Sequence, residues 1–242
     1  MTTPATAKQA HTALTALQDP TKAAFAARFF KTGKGQYGEG DCFLGITVPA
    51  VRLLARQFAT LPLADCQALL GSAFNEERLL ALLILVAQYK KGDAATREAV
   101  VALYLAQRSR VNNWNLVDSS APYILGPHLL HKDRVLLYQL VASPSLWDRR
   151  IAVLATFAFI RENDFTDTLA LTALLLHDPQ DLMHKACGWM LREVGKRDAG
   201  VLEQFLRKHQ ADMPRTMLRY AIERFAPAQR KAFLAMRQLS KP

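Results

Sequence analysis

The chain holds only three cysteines in 242 residues, Cys42, Cys66 and Cys187, and no two form a Cys-x-x-Cys pair. That spacing excludes a disulfide framework or a structural zinc site and points to a reducing compartment. Glycine and proline are sparse, eleven of each, and no stretch alternates apolar with polar residues as a half-buried strand does. Long apolar runs are missing as well. The longest, LLALLILVA at 79–87, has nine residues, too few to span a bilayer. The opening MTTPATAKQAHTALTALQD has no charged segment leading into an apolar core, so no signal peptide is expected. Six histidines are scattered without an HExxH pattern; HLLH at 128–131 has helical spacing but no accompanying carboxylate or cysteine cluster, so no metal and no cofactor is expected. No serine or cysteine sits in a nucleophile motif. GKGQYGEG lacks the GK[ST] ending of a phosphate-binding P-loop.

What is abundant is leucine, alanine and positive charge. Half the residues are hydrophobic and 21% are charged, a balance that supports a sizeable core and favours helix over sheet. The net charge is +10, from 31 basic and 21 acidic residues. Such a surplus attracts nucleic acid, anionic membrane surfaces or acidic partners, or simply keeps a surface soluble. With no membrane segment, a cytoplasmic protein is expected.

Segments with apolar residues at i, i+3 and i+4 follow one another: 76–91, 95–107, 148–162 and 183–197. Short breakers separate them (KKGD, LGPH, ASPS, HDPQD, ADMP), and KTGKGQYGEGD at 31–41 reads as a loop. Arg78, Trp114, Arg150, Lys185 and Thr216 stand at similar points near successive helix starts, at intervals of 36, 36, 35 and 31 residues. A two-helix period in the mid-thirties without the TPR pattern predicts an all-α, right-handed α-solenoid of HEAT-like repeats. One domain over 1–242 is expected, with equivalent helix positions lined up along a concave face.

That register gives meaning to RVNNWNLVDSSAPYILG at 110–126. Trp114 and Asp118 are four apart and share a helix face, as do Lys185 and Trp189, with Arg150 on the repeat between. All five then point into one groove. The competing reading makes both tryptophans core aromatics and Asp118 a local pair, although a carboxylate beside an indole needs a buried partner or solvent. One of Asn112 and Asn113 is expected to cap the helix ahead of Trp114. A single carboxylate suffices for glycosidic cleavage when the leaving group is already cationic, as in a purine alkylated at N3 or N7. Asp118 would then stabilise an oxocarbenium-like sugar and orient water. The indole faces would add cation–π attraction of roughly 0.5–2 kcal/mol each. Arg150 and Lys185 would hold phosphates, and Lys31 and Lys34 could touch them from the loop.

Four segments, FFKTGKGQYGEGDCFLGI (29–46), NNWNLVDSSAPYILG (112–126), LWDRRIAVLATF (146–157) and HKACGWMLREVGKRD (184–198), resemble, in family order, the AlkD family of bacterial DNA alkylation repair glycosylases. The likeness spans nearly the whole chain. It implies a HEAT-like solenoid that clasps duplex DNA in its concave face and excises N3- and N7-alkylated purines, leaving an abasic site without swinging the base into a pocket. It further implies that Asp118 is the catalytic carboxylate, that Trp114 and Trp189 flank the sugar, and that Arg150 meets the DNA backbone. Arg149, Arg78, Lys185, Lys31, Lys34 and Phe29 complete the expected DNA-binding set. The pattern departs at Phe29, where a tyrosine near the cleft would supply one more hydrogen bond. The implied enzyme is monomeric, metal-free, and works at the bacterial nucleoid. A catalytically silent solenoid of the same kind, binding DNA structures or a protein, is the alternative.

Overall fold

In the computed structural model, which describes residues 5–239, the chain is all-helical; among those residues the only β-type pairing is one bridge between Cys42 and Phe74. None of the described helices is long and apolar enough to cross a membrane. The chain forms two compact units, Met1–His128 and Leu129–Pro242.

The first unit holds α1 (Ala7–Thr15), α2 (Pro20–Phe29), α3 (Val48–Gln57), α4 (Leu63–Leu70), α5 (Asn75–Lys91), α6 (Ala94–Ala106), α7 (Trp114–Asp118) and α8 (Leu125–Leu129), whose last residue opens the second unit. Local chemistry starts many of them. Thr6 and Gln9 form a reciprocal capping box on α1, Asp19 caps α2 ahead of a proline at its first position, and Asp93 accepts from Thr96 N at 2.8 Å to cap α6. The centre is α5. Its residues from Asn75 to Leu85 are all buried, as expected of a helix packed on every side, and it touches α3, α4, α6 and α7. By contrast α2 has no buried residue at all.

The second unit holds α9 (Val135–Val141), α10 (Leu146–Ala155), α11 (Phe157–Arg161), α12 (Thr166–Leu174), α13 (Asp181–Arg197), α14 (Ala199–His209), α15 (Arg215–Ala221) and α16 (Pro227–Leu239). Here α13 is central, packed on α10, α12, α14 and α15. Gly188 permits a close approach to α15: a Cβ there would lie 2.5 Å from both the Met217 carbonyl oxygen and Tyr220 Cβ.

The helix spans read from spacing hold for α5, α6 and α13. The span 148–162 does not: it is two helices, broken at Thr156. The Thr156 hydroxyl donates to the Val153 carbonyl at 2.7 Å, a back-bond that competes with the regular ladder. The five proposed register residues all lie near helix starts, but not at one turn position. Arg78 is the fourth residue of α5, Trp114 the first of α7, Arg150 and Lys185 the fifth of α10 and α13, and Thr216 the second of α15.

Candidate active site

In the first unit the loop between α2 and α3 and the start of α7 are built around one buried carboxylate. Asp41 accepts from Asn113 Nδ2 at 2.8 Å and from Asn75 Nδ2 at 3.1 Å, and forms a short ion pair with Arg78 Nη2. Asn75 Oδ1 in turn accepts from Asn115 Nδ2 at 2.7 Å. Asn113 then caps α7, its Oδ1 accepting from Trp114 N at 2.9 Å, which fulfils the capping expectation. Both neighbours of Trp114 in sequence are therefore tied to Asp41 or Asn75.

Backbone geometry makes this possible. Lys31 leaves α2 with φ 52°, and Gly38 lies where a Cβ would meet the Phe30 carbonyl oxygen at 2.3 Å. Glu76, 4% exposed, receives Leu44 N, Gly45 N and Ile46 N at 3.0, 2.9 and 3.2 Å. Cys42 N donates to the Ala73 carbonyl at 3.2 Å. The glycine-rich segment is thus a loop, as its composition predicts, but an anchored one.

Aromatic rings line up on this frame. Trp114 stacks on Phe30 at 5.0 Å and 17°, and Phe30 stacks on Phe43 at 4.9 Å and 21°. Phe29 meets the indole edge-on at 6.0 Å and is itself 55% exposed. Trp114 and Asp118 are half-buried, so this indole is not consumed by the core. Asp118 is the last residue of a five-residue helix, not a mid-helix carboxylate. Lys31 sits 6.0 Å from the Tyr37 ring, and Lys34 is exposed.

Arg78 does not fit its expected place on a DNA-facing surface. It is 1% exposed and donates through Nη1 to the Ser72 and Ala73 carbonyls at 2.8 and 3.0 Å, besides pairing with Asp41. Burial lowers its pKa and Asp41 opposes that shift. Its work is to hold the loop against α5.

In the second unit Trp189 is half-buried on α13, tilted against Phe157 at 6.3 Å. Its Nε1 donates to Glu193 Oε1 at 3.0 Å, and Lys196 pairs with the same carboxylate at 2.7 Å. The indole is therefore oriented by a charged brace one turn ahead. Arg150 is 5% exposed and donates through Nη1 to the Leu182 carbonyl at 2.6 Å, tying α10 to the start of α13. Arg149 is engaged inside the unit, with Asp178 at 2.7 Å and the Ser143 and Pro144 carbonyls at 3.0 and 2.9 Å. Neither arginine is the extended surface cation that its position in the sequence suggests. Lys185 is accessible and pairs with Asp181 at 2.7 Å; this bond holds the Asp181 carboxyl below its usual range.

Spacing alone pointed to Trp114, Asp118 and Trp189 and passed over Asp41, Asn75, Asn115, Phe30 and Glu193, which position them. Among the described residues no group of three His, Cys, Asp or Glu side chains is placed to hold a metal ion. What the first unit offers is a half-exposed indole backed by a ring stack, a carboxylate one turn away, and lysines on the adjoining loop.

Over residues 10–225 the sequence matches the model of the family described as DNA alkylation repair enzyme. The chain belongs to that family. Among solved structures it is similar to a predicted DNA alkylation repair enzyme from Enterococcus faecalis, 17% identical, with a TM-score of 0.68 over 87% of this chain and 97% of that one. At that identity the likeness shows the fold. No curated protein matches. A DNA alkylation repair enzyme has a polyanion as its substrate, and the +10 charge suits one.

Proposed function

We propose that this DNA alkylation repair enzyme is a monofunctional alkylpurine glycosylase of the AlkD type. The fold expected of that type is a HEAT-like right-handed solenoid that takes duplex DNA on a concave face. The reading is carried by Asp118 standing one turn from Trp114, on a short helix whose start is fixed by Asn113 and Asn115. A purine alkylated at N3 or N7 is cationic. When the C1′–N bond breaks, the base leaves with the electron pair as a neutral molecule, so no general acid is needed. Asp118 stabilises the sugar cation and orients a water, whose oxygen bonds to C1′ while its proton passes through the carboxylate to solvent. The product is an abasic site.

Phe30 covers one face of Trp114, and the indole's remaining surface is directed to the cationic nucleotide. By the AlkD resemblance Trp189, which Glu193 braces, has the role of a second aromatic wall. Lys185, Lys31, Lys34 and the exposed edge of Phe29 meet the backbone, and Arg150 contributes its charge from beneath the α10–α13 contact. Lesions are recognised in place, without obligatory base flipping. The enzyme acts as a monomer in the bacterial cytoplasm, at the nucleoid.

The test is mass spectrometry of bases released from methylated duplex DNA. Wild type should release 3-methyladenine, 7-methylguanine or 7-methyladenine, and Asp118→Asn should lose at least about 100-fold in rate, the scale of one positioned catalytic group. Binding without release by wild type would sink the glycosylase and favour a silent DNA-binding solenoid.

A further inference from the structure

A second basic feature lies away from Trp114. Between the C-terminal halves of α3 and α5 runs a cleft of about 430 Å³, rimmed by Arg52, Arg56, Lys90 and Lys91 over a floor that includes Val86 and Ala87. All four cations are exposed. Among the described residues that line the cleft there is no carboxylate, whereas Lys185, Arg149 and Arg78 each have an acidic partner. The cleft has a fixed shape, because Gln88 Nε2 donates to the Ala59 and Leu61 carbonyls at 3.1 and 2.8 Å and ties the chain after α3 to α5. Cations at helix C-termini favour the helix dipole, which accounts for Arg56, Lys90 and Lys91 singly. It does not account for Arg52 in the middle of α3, nor for four like charges gathered with no counter-charge.

We infer that this cleft is a second phosphodiester site, which grips the backbone of the same DNA several base pairs from the lesion. The inference rests on the glycosylase reading. Its geometry comes from α5, which runs from one feature to the other. Asn75 at its first turn bonds Asn115 beside Trp114, and Lys90 and Lys91 end it. The fifteen residue steps from Asn75 to Lys90 rise about 22 Å. A duplex lying along α5 covers that length in about six to seven base pairs at ~3.4 Å each. The cations take the phosphates, and the small apolar floor accepts the C–H edge of deoxyribose. Such contacts position without reading sequence. The enzyme therefore gains affinity from duplex well beyond the damaged nucleotide on one side.

The experiment measures affinity against salt for wild type, Arg52→Ala/Arg56→Ala and Lys90→Ala/Lys91→Ala. Two lesion-centred duplexes are used, one of roughly 24 base pairs and one with a stem of roughly nine, which ends short of the cleft. On the long duplex each double variant should lower the slope of log K against log salt by about 1.8, or ~0.9 for each phosphate that is no longer neutralised. On the short one all three proteins should bind alike, and base release from it should be unchanged. Equal slopes on the long duplex would overturn the inference while leaving the glycosylase intact. Equal losses on both lengths would overturn it too, since the cations would then act beside the lesion. The same holds if the variants bind DNA normally but lose a fluorescent peptide of acidic and apolar residues, which would make the cleft a protein-docking groove. Wild type that binds neither duplex would overturn both readings.

Discussion

Replacing Arg78 separates a residue that holds the site from one that touches DNA. In Arg78→Met the guanidinium disappears from a position 1% exposed, leaving Asp41 buried without its counter-charge and the Ser72 and Ala73 carbonyls each with one donor fewer. Breaking one partner of a buried ion pair costs about 3–5 kcal/mol. For a chain of this size each kcal/mol moves Tm by about 2–4 °C, so the variant should melt about 6–20 °C below wild type. Urea titration followed by helical circular dichroism should show the midpoint falling with little change in m. The double variant Arg78→Met/Asp41→Leu should recover part of the loss, because no stranded charge remains, although Asn75 and Asn113 still lose their acceptor. The folded fraction of Arg78→Met should keep the wild-type salt dependence of DNA binding. If stability fell by less than about 1 kcal/mol, as for an exposed pair, while the salt slope dropped by about 0.9, Arg78 would be a phosphate contact and the buried frame described above would be wrong.

Other outcomes follow from the same geometry. Asn113→Ala removes both the α7 cap and a donor to Asp41; a loss of about 1–3 kcal/mol in chemical denaturation, with slower base release, is expected. Gly188→Ala puts a Cβ 2.5 Å from backbone and side chain of α15, and should cost about 1–3 kcal/mol by overpacking, read as a lowered Tm. Burial pushes the thiols of Cys66 and Cys187 up to about 12, while Cys42 is exposed. Both buried thiols therefore stay protonated at pH 8, and a thiol reagent should titrate one cysteine in native protein and three after denaturation.

Most of the helical architecture is legible from the sequence, since α6 and α13 carry apolar residues at helical spacing and α5 is a long apolar run between breakers. The break at Thr156 is not, because its cause is a hydroxyl back-bond in a segment with neither glycine nor proline. Trp114, Asp118 and Trp189 are legible because i, i+4 pairs share a helix face whatever the rest of the chain does. The frame that aims them is not. Asp41 lies 34 residues from Asn75, 37 from Arg78 and 72 from Asn113, and no local pattern announces pairs at those separations. A signal for Arg78 does exist. It stands in a helix that is apolar on all sides from Leu79 to Ala87, where a charge must find a buried partner. Regular repeat spacing drew it onto the DNA face instead.

The shared carboxylate has a consequence for anyone who would move this chemistry. The Trp-x-x-x-Asp segment looks portable, five residues on one short helix, yet its orientation is specified by three separate stretches of chain meeting at Asp41. Grafted alone onto another helical scaffold it would arrive with an uncapped start and an indole lacking its ring support. The smallest transplantable piece is discontinuous: residues 29–46, the opening of α5 and residues 112–118 travel together or not at all.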